Sequence, residues 1–302
     1  MENDVLMILT ACSVAIPASL LGVLLVSKSL VMVGDAISHA VLPGIVVAYL
    51  LSGTKDSGPM LLGAAATGFL TTFLIDFLRQ KWQIQEDAAI GFTFTFLFAL
   101  GVLLIALFAG KNSDLDQECV LYGDLETSIL DQVIVGEYLY GTRAILQLLP
   151  LTIVLLLVIV FGFKGWKVWA FNPHFGSFIG IPMRLFHLTL MLLLSIHAVL
   201  SFESVGVILV VGLLVLPAAT ALQFSKTLSR TFCYSACIGI ASCILGVLLG
   251  KWINISISPL IVCVNGLIFL TSVVLSPYKR KTGQGQNAEN REFQEYKNEH
   301  FI

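Results

Sequence analysis

The stretch MVGDAISHAVLPGIVVAYLL, residues 32–51, is long and apolar enough to cross a membrane, yet it contains an aspartate and a histidine four residues apart. A helix needs about 20 such residues to span the hydrocarbon core of a bilayer. Similar apolar runs recur along most of the chain, whereas alternating segments of the kind that build membrane barrels do not. We therefore predict an all-α, polytopic transmembrane helical bundle.

The composition supports a membrane protein and argues against several soluble classes. Of the 302 residues, 57% are hydrophobic and only 12% are charged, about half the charged fraction of a soluble domain. The chain has no basic stripe of the kind that nucleic acid would require. Its six cysteines form no CxxC pair, which leaves zinc-ribbon and thioredoxin-like folds without support.

The apolar runs predict eight to nine crossings within a transmembrane domain of residues 1–278, followed by a polar, disordered tail over residues 279–302. With nine crossings, most loop lysines and arginines fall on one side, which the positive-inside rule makes cytoplasmic. They are Lys28, Arg79, Lys81, Lys164, Lys167, Arg184, Lys226, Arg230, Lys279, Arg280 and Lys281. The N-terminus is then outside and the C-terminus inside. The acidic stretch over residues 111–141 falls on the outer side, and its apolar residues predict short amphipathic pieces at the membrane surface.

Asp35 and His39 are the residues in the opening stretch that most need an explanation. A charged side chain near the middle of a membrane costs at least ~2.5 kcal/mol and usually faces a bundle interior or a water-filled path. At positions i and i+4 both lie on one helix face, and their oxygen and nitrogen donors suit Mn²⁺, Fe²⁺ or Zn²⁺. Ser38 and the helix-interrupting Pro43 and Gly44 fit a segment that lines a pathway. The alternative is a structural hydrogen bond to a neighbouring helix.

A second polar pair lies around residue 200. Glu203 is predicted to begin a span near the outer face, and His197 lies a turn and a half earlier. Both are candidate early ligands for a cation, although Glu203 also fits an interfacial carboxylate.

Two features predict contact surfaces on the inner side. Pro217 is expected to kink or end its helix, which leaves Gln223, Lys226 and Arg230 on an exposed turn. In FNPHFGSFIGIP, residues 171–182, Asn172 can cap a short helix that starts at Pro173 and presents Phe175 and Phe178. Such an apolar helix suits a partner's groove, or it packs against its own bundle.

The chain contains no G-x-x-x-x-G-K-[ST] phosphate loop, so it has no route to ATP hydrolysis of that kind. It also has no HExxH motif and no Ser/His/Asp order that would suggest an intramembrane enzyme. We therefore expect a protein that is not itself an enzyme.

Three stretches together resemble the permease subunits of the ABC-3 family of metal-ion ABC transporters. They are VGDAISHAVLPG, EDAAIGFTFTFLFALG and SFESVGVILVVGLLVLPAATA, and the resemblance runs from about residue 5 to residue 276. LDQECVLYG, residues 115–123, resembles the manganese and iron branch of that family.

The resemblance implies a multi-pass permease in the cell's inner (plasma) membrane, with no permanently bound cofactor and a divalent metal as cargo. Its implied partners are a cytoplasmic ABC ATPase, an extracytoplasmic metal-binding protein and a second permease copy, identical or related. The D-x-x-S-H motif of the family corresponds to Asp35, Ser38 and His39. Where the family commonly has Asp-Pro-Glu, this chain has Asn172-Pro173-His174, so the turn after Pro217 becomes the preferred ATPase contact.

The sequence leaves three alternatives at this level. With the predicted orientation, Asp35 lies near the inner boundary and Glu203 near the outer one, which favours two stations along one path over a single site. A self-sufficient ion-coupled carrier, in which Asp35 and His39 relay protons, is the main alternative to the ATP-driven importer. The donor types do not choose among Mn²⁺, Fe²⁺ and Zn²⁺.

Overall fold

The computed structural model describes residues 2–53, 57–108, 123–128, 132–135 and 138–275. Within these ranges, nine segments are helical, long and apolar enough to cross a membrane. The prediction of an all-α bundle with about nine crossings is therefore confirmed. The tail over residues 279–302 lies outside the described ranges.

Twelve helices and one short hairpin make up the described chain. In chain order they are α1 (Glu2–Ser27), α2 (Val31–Ala40), α3 (Leu42–Ser52), α4 (Ser57–Trp82), α5 (Glu86–Phe108), β1 (Gln132–Val135), β2 (Tyr138–Thr142), α6 (Arg143–Phe161), α7 (Phe163–Phe171), α8 (Pro173–Phe178), α9 (Met183–Val205), α10 (Val207–Phe224), α11 (Leu228–Ile253) and α12 (Ile257–Leu275).

A short hairpin lies within the stretch 111–141, for which the sequence predicted short amphipathic pieces of unspecified secondary structure. Strands β1 and β2 pair antiparallel with a bulge between Val133 and Ile134. The β-branched residues of QVIV suit a strand better than a helix. The threonine hydroxyls of Thr142 and Thr10 are hydrogen-bonded at 2.9 Å, which ties the hairpin to α1. Most of the acidic stretch lies outside the described ranges.

The bundle contains two groups of helices. Helix α1 packs against α10 and α11, and α12 packs against both of these; α2, α3, α4 and α5 pack together as the second group. Helix α9 contacts both groups, because it touches α4 and α2 as well as α1 and α10. Close approach depends on glycine at Gly22, where an added Cβ would overlap the backbone oxygen of Leu214.

Successive spans run in opposite directions, so every second loop lies on the same face of the bundle. We call this the basic face, because it carries Lys28, Arg79, Lys226 and Arg230. Helices α7 and α8 and the start of α9 also lie on this face. Trp166 of α7 is almost fully buried and meets the ring of Phe186 edge-on, with centroids 4.9 Å apart. The Lys28 ammonium lies 5.2 Å from the centroid of the Trp169 ring, and burial lowers the pKa of Lys28.

Candidate metal pathway

The stretch that carries Asp35 and His39 is a broken helix, as predicted. Helix α2 ends at Ala40, the chain turns at Val41, and α3 starts with Pro43 in its first turn. Proline is tolerated there because its missing N–H would have no partner within the helix. An added Cβ on Gly44 would overlap the Gly63 carbonyl and the Thr67 hydroxyl of α4. The helix break therefore lies where the backbones of α3 and α4 approach each other closely.

Asp35 and His39 point in the same direction from α2. The Asp35 Oδ1 and His39 Nε2 atoms are 4.0 Å apart, and the side chains are 51% and 41% exposed, respectively. Two aromatic residues of α5 flank the imidazole, with ring centroids 5.8 Å away for Phe94 and 6.2 Å for Phe98. A half-exposed carboxylate within a membrane span is costly against lipid. This face therefore suits a water-filled path or contact with another chain.

The two donor atoms are close enough to converge on one metal ion. At 4.0 Å the atoms are too far apart for a hydrogen bond. First-row metals bind imidazole nitrogen and carboxylate oxygen at ~2.0–2.2 Å, so the two donors would have to approach each other by less than about 1 Å to become adjacent ligands. Among the described residues, no three His, Cys, Asp or Glu side chains are grouped to hold a metal. The pair thus offers an incomplete ligand shell, which favours weak and exchangeable binding.

Two further residues predicted for the pathway, Ser38 and His197, lie on α2 and α9. Ser38 lies on α2 between Asp35 and His39, but its side chain is not described. His197 is fully buried in α9; its Nδ1 is 3.3 Å from the Ser201 hydroxyl, and its Nε2 has no partner among the described atoms. The role of His197 as a ligand stays a prediction.

The position predicted for Glu203 was wrong in one respect. Glu203 does not begin a span; it lies in the last turn of α9, and α10 begins at Val207. Gly206 separates the two helices with φ of +82°, a conformation that glycine adopts without strain. The Glu203 side chain is not described, and its role as an early ligand stays a prediction.

Of the two effects predicted for Pro217, a kink or a helix end, the helix end does not occur. Helix α10 continues through Pro217 to Phe224. Spans tolerate proline because a helix is the only way for the rest of the segment to satisfy its backbone groups in lipid. Gln223 is consequently half-buried in the last turn of α10, whereas Lys226 and Arg230 are exposed beyond it.

The short helix predicted at Pro173 is confirmed. Asn172 caps α8 by accepting a hydrogen bond from the Phe175 backbone N–H at 3.0 Å. Phe175 is 53% and Phe178 is 89% exposed. Helix α8 therefore presents an apolar surface on the basic face.

Sequence reasoning missed the pairing of Asp76 with His187, which joins α4 to α9. The His187 Nε2 and Asp76 Oδ2 atoms are 2.7 Å apart. The signal was present in TTFLIDFL, where Asp76 is the only charged residue of an apolar run. No local pattern could identify its partner, because the two residues are 111 positions apart.

The comparison with protein families is decisive for the class of this protein. The model of the ABC 3 transport family matches residues 5–276. The chain belongs to the ABC-3 transport family. This result confirms the resemblance drawn from the three sequence motifs.

Individual relatives of this ABC-3 chain agree with that assignment. It is 38% identical to the manganese transport system membrane protein MntD of Bacillus subtilis, over 92% of this chain and 93% of the relative. It is 32% identical to the zinc transport system membrane protein TroD of Treponema pallidum, over 89% and 73% of the two chains. Its fold matches the solved structure of PsaBC from Streptococcus pneumoniae in complex with Fab, with a TM-score of 0.73, 29% identity and coverage of 92% and 94%.

Proposed function

We propose that this chain is the membrane-spanning subunit of an ABC importer that moves a divalent transition metal into the cytoplasm, with a separate subunit hydrolysing ATP. The observation that carries the proposal is the Asp35–His39 pair, two metal donors held 4.0 Å apart on an exposed face of a broken span. The family and the relatives named for manganese and zinc transport support the same reading. Mn²⁺ is the first expectation, with Zn²⁺ and Fe²⁺ as the other candidates.

The exposed face of α2 indicates how the channel is assembled. A second permease copy, identical or related, covers the faces of Asp35 and His39 so that the metal passes between two chains and avoids lipid. An extracytoplasmic binding protein delivers the ion on the side where α1 begins. His197 and Glu203 then lie nearer to the entry than Asp35 does, as early stations on the path.

Transport follows from weak binding and alternating access. The ion exchanges water for Asp35 and His39 when the cavity is open to the outside. ATP binding and hydrolysis on the inner partner change which side the cavity faces. Because the two protein donors leave most of the ligand shell to water, the ion leaves readily once the inner side opens.

Dependence on the ATPase is the first test. Cells that express this chain with its candidate ATPase and binding protein should accumulate radiolabelled Mn²⁺. Disabling the phosphate loop of the ATPase should lower the uptake rate to that of cells without the permease. Uptake that continues with the disabled ATPase would reject the importer and favour an ion-coupled carrier.

The basic face offers the docking surface for the ATPase. Lys226 and Arg230 project beyond α10, and α8 presents Phe175 and Phe178 on the same face. We expect Lys226→Glu, Arg230→Glu to lower the amount of ATPase that co-purifies with the permease by about tenfold, because charge reversal at a contact costs more than 1 kcal/mol.

The matched comparison for the docking surface is Phe175→Ser, Phe178→Ser, which tests the apolar helix alone. If only this variant fails to co-purify with the ATPase, the ATPase binds α8 and not Lys226 and Arg230. Retention of the ATPase by both variants would place the docking surface elsewhere.

A further inference from the structure

Helix α7 has one face buried in the bundle and one face that is cationic. Trp166 and Trp169 are almost fully buried, and their rings meet edge-on with centroids 5.7 Å apart. Lys164, Lys167 and Phe171 are exposed and lie on the opposite face, because residues three and four apart are neighbours on a helix. The outer face of α7 therefore presents two ammonium groups and an aromatic ring.

Helix α7 begins at the depth where the membrane hydrocarbon ends. The span α6 before it has 19 residues, which at ~1.5 Å per residue nearly cover the ~30 Å of hydrocarbon. Val160 and Phe161, at the end of α6, are 66% and 86% exposed, as expected of side chains that face lipid. Lys164 follows this lipid-facing end within one helical turn, so its ammonium lies at the level of the lipid headgroups.

Contacts at the buried face place α7 beside the bundle and not below it. The Trp166 indole N–H donates a hydrogen bond to the Val158 carbonyl of α6 at 3.1 Å. The Trp166 ring also packs edge-on against Phe186, and the Trp169 ring lies 6.2 Å from that of His187. Phe186 and His187 belong to the first two turns of the span α9. Because its inner face lies against the ends of two spans, α7 directs its outer face sideways, toward the surrounding lipid.

The charge around α7 favours an anionic lipid over a neutral one. Residues 138–202 contain Lys164, Lys167 and Arg184 but no Asp or Glu. Arg184 is exposed and lies in the first turn of α9, two residues before Phe186, whose ring packs on α7. The ion pairs of the described residues involve none of these three cations. Each basic side chain near an anionic membrane surface strengthens binding by about fivefold.

We propose that the outer face of α7 binds the headgroup of an anionic phospholipid in the leaflet at the basic face. Lys164 and Lys167 donate hydrogen bonds to phosphate oxygens, and Arg184 adds a third cation at the start of α9. Phe171 packs against the upper part of an acyl chain. Lysine suits this position, because its alkyl stem stays in apolar surroundings while its ammonium reaches the headgroup. The inference does not depend on the proposed metal pathway.

The test is the affinity of the purified full-length permease for phosphatidylglycerol, measured by native mass spectrometry as the lipid is titrated into detergent solution. The wild type should bind phosphatidylglycerol at least about tenfold more tightly than phosphatidylcholine. Lys164→Gln, Lys167→Gln should lower the affinity for phosphatidylglycerol by about 20-fold, whereas Lys164→Arg, Lys167→Arg should retain it. Equal affinities for the two lipids, or an unchanged affinity in the Gln variant, would overturn the proposal.

Lys81→Gln is the matched control, because it removes one exposed cation from the same face of the bundle. The Lys81 ammonium lies at the end of α4, 5.1 Å from the centroid of the Phe77 ring. Affinity for phosphatidylglycerol should change by less than about twofold in Lys81→Gln and fall by about fivefold in Lys167→Gln. Equal losses in the two variants would indicate a general effect of net charge, and would overturn a specific site on α7.

A photo-crosslinker at residue 171 identifies the occupant of this face directly. Phe171→p-benzoylphenylalanine should crosslink to phospholipid in the membranes of cells that also express the ATPase. A crosslink to the ATPase in place of lipid would show that α7 faces a protein partner, and would overturn the proposal. That result would leave the contact at Lys226 and Arg230 to its own co-purification test.

Discussion

Asp35→Asn, His39→Ala is expected to lower the initial rate of Mn²⁺ uptake by about 100-fold in cells that also express the ATPase and the binding protein. Loss of a group that holds or supports a metal costs ~10–100-fold in affinity or activity, and this variant removes both donors of the Asp35–His39 pair. The side chains are half-exposed in the single chain, so their replacement should not disturb the packing of the bundle. The measurement is uptake of radiolabelled Mn²⁺ over the first minute.

Controls for this prediction distinguish a ligand from a structural group. Asp35→Glu keeps a carboxylate and should retain more uptake than Asp35→Asn, whereas Asp87→Asn removes an exposed carboxylate outside the path and should match the wild type. All variants should co-purify with the ATPase in equal amounts. Wild-type uptake by the double variant would show that the ion does not pass through this pair.

Gly22→Val is expected to destabilise the bundle by about 3 kcal/mol or more. A Cβ at residue 22 would overlap the backbone oxygen of Leu214 and lie 3.3 Å from Ala218 Cβ. Overpacking a core costs ~1–3 kcal/mol when side chains can adjust, but a backbone carbonyl within a helix cannot move alone. Helices α1 and α10 would have to separate. The expected result is a melting temperature lower by about 5–10 °C in detergent.

Gly266→Val is the matched control for that change, because nothing lies within 4 Å of a Cβ placed at Gly266 on α12. Both substitutions replace a helical glycine with the same side chain, so they share any gain in helix propensity. Equal melting temperatures for the two variants would contradict the close crossing of α1 and α10.

Local patterns in the sequence were sufficient for the spans, the break before Pro43 and the cap at Asn172. Each of these depends on neighbours within a few residues: a run of apolar side chains, a proline without an N–H, or a side-chain oxygen at a helix start. The same patterns identified Asp35 and His39 as two donors on one face. The spacing along a single helix was enough, because i and i+4 residues lie together.

Features that depend on tertiary packing were beyond local reasoning. Pro217 suggested a kink or a helix end, and the lipid environment keeps α10 helical through it. The β1–β2 hairpin lies in a stretch whose composition suggested surface pieces. The contact between Asp76 and His187 requires knowing that α4 packs against α9, and no sequence spacing contains that information.

The central claim is most directly tested with the purified permease, ATPase and binding protein in sealed liposomes that have no ion gradient or membrane potential. The metal-loaded binding protein is supplied at the face where α1 begins, ATP at the basic face, and radiolabelled Mn²⁺ is measured on both sides of the membrane. We expect Mn²⁺ to accumulate on the basic face with ATP and to stay near equilibrium with a non-hydrolysable analogue. Accumulation driven by an imposed proton gradient in the absence of ATP would contradict the importer and favour an ion-coupled carrier.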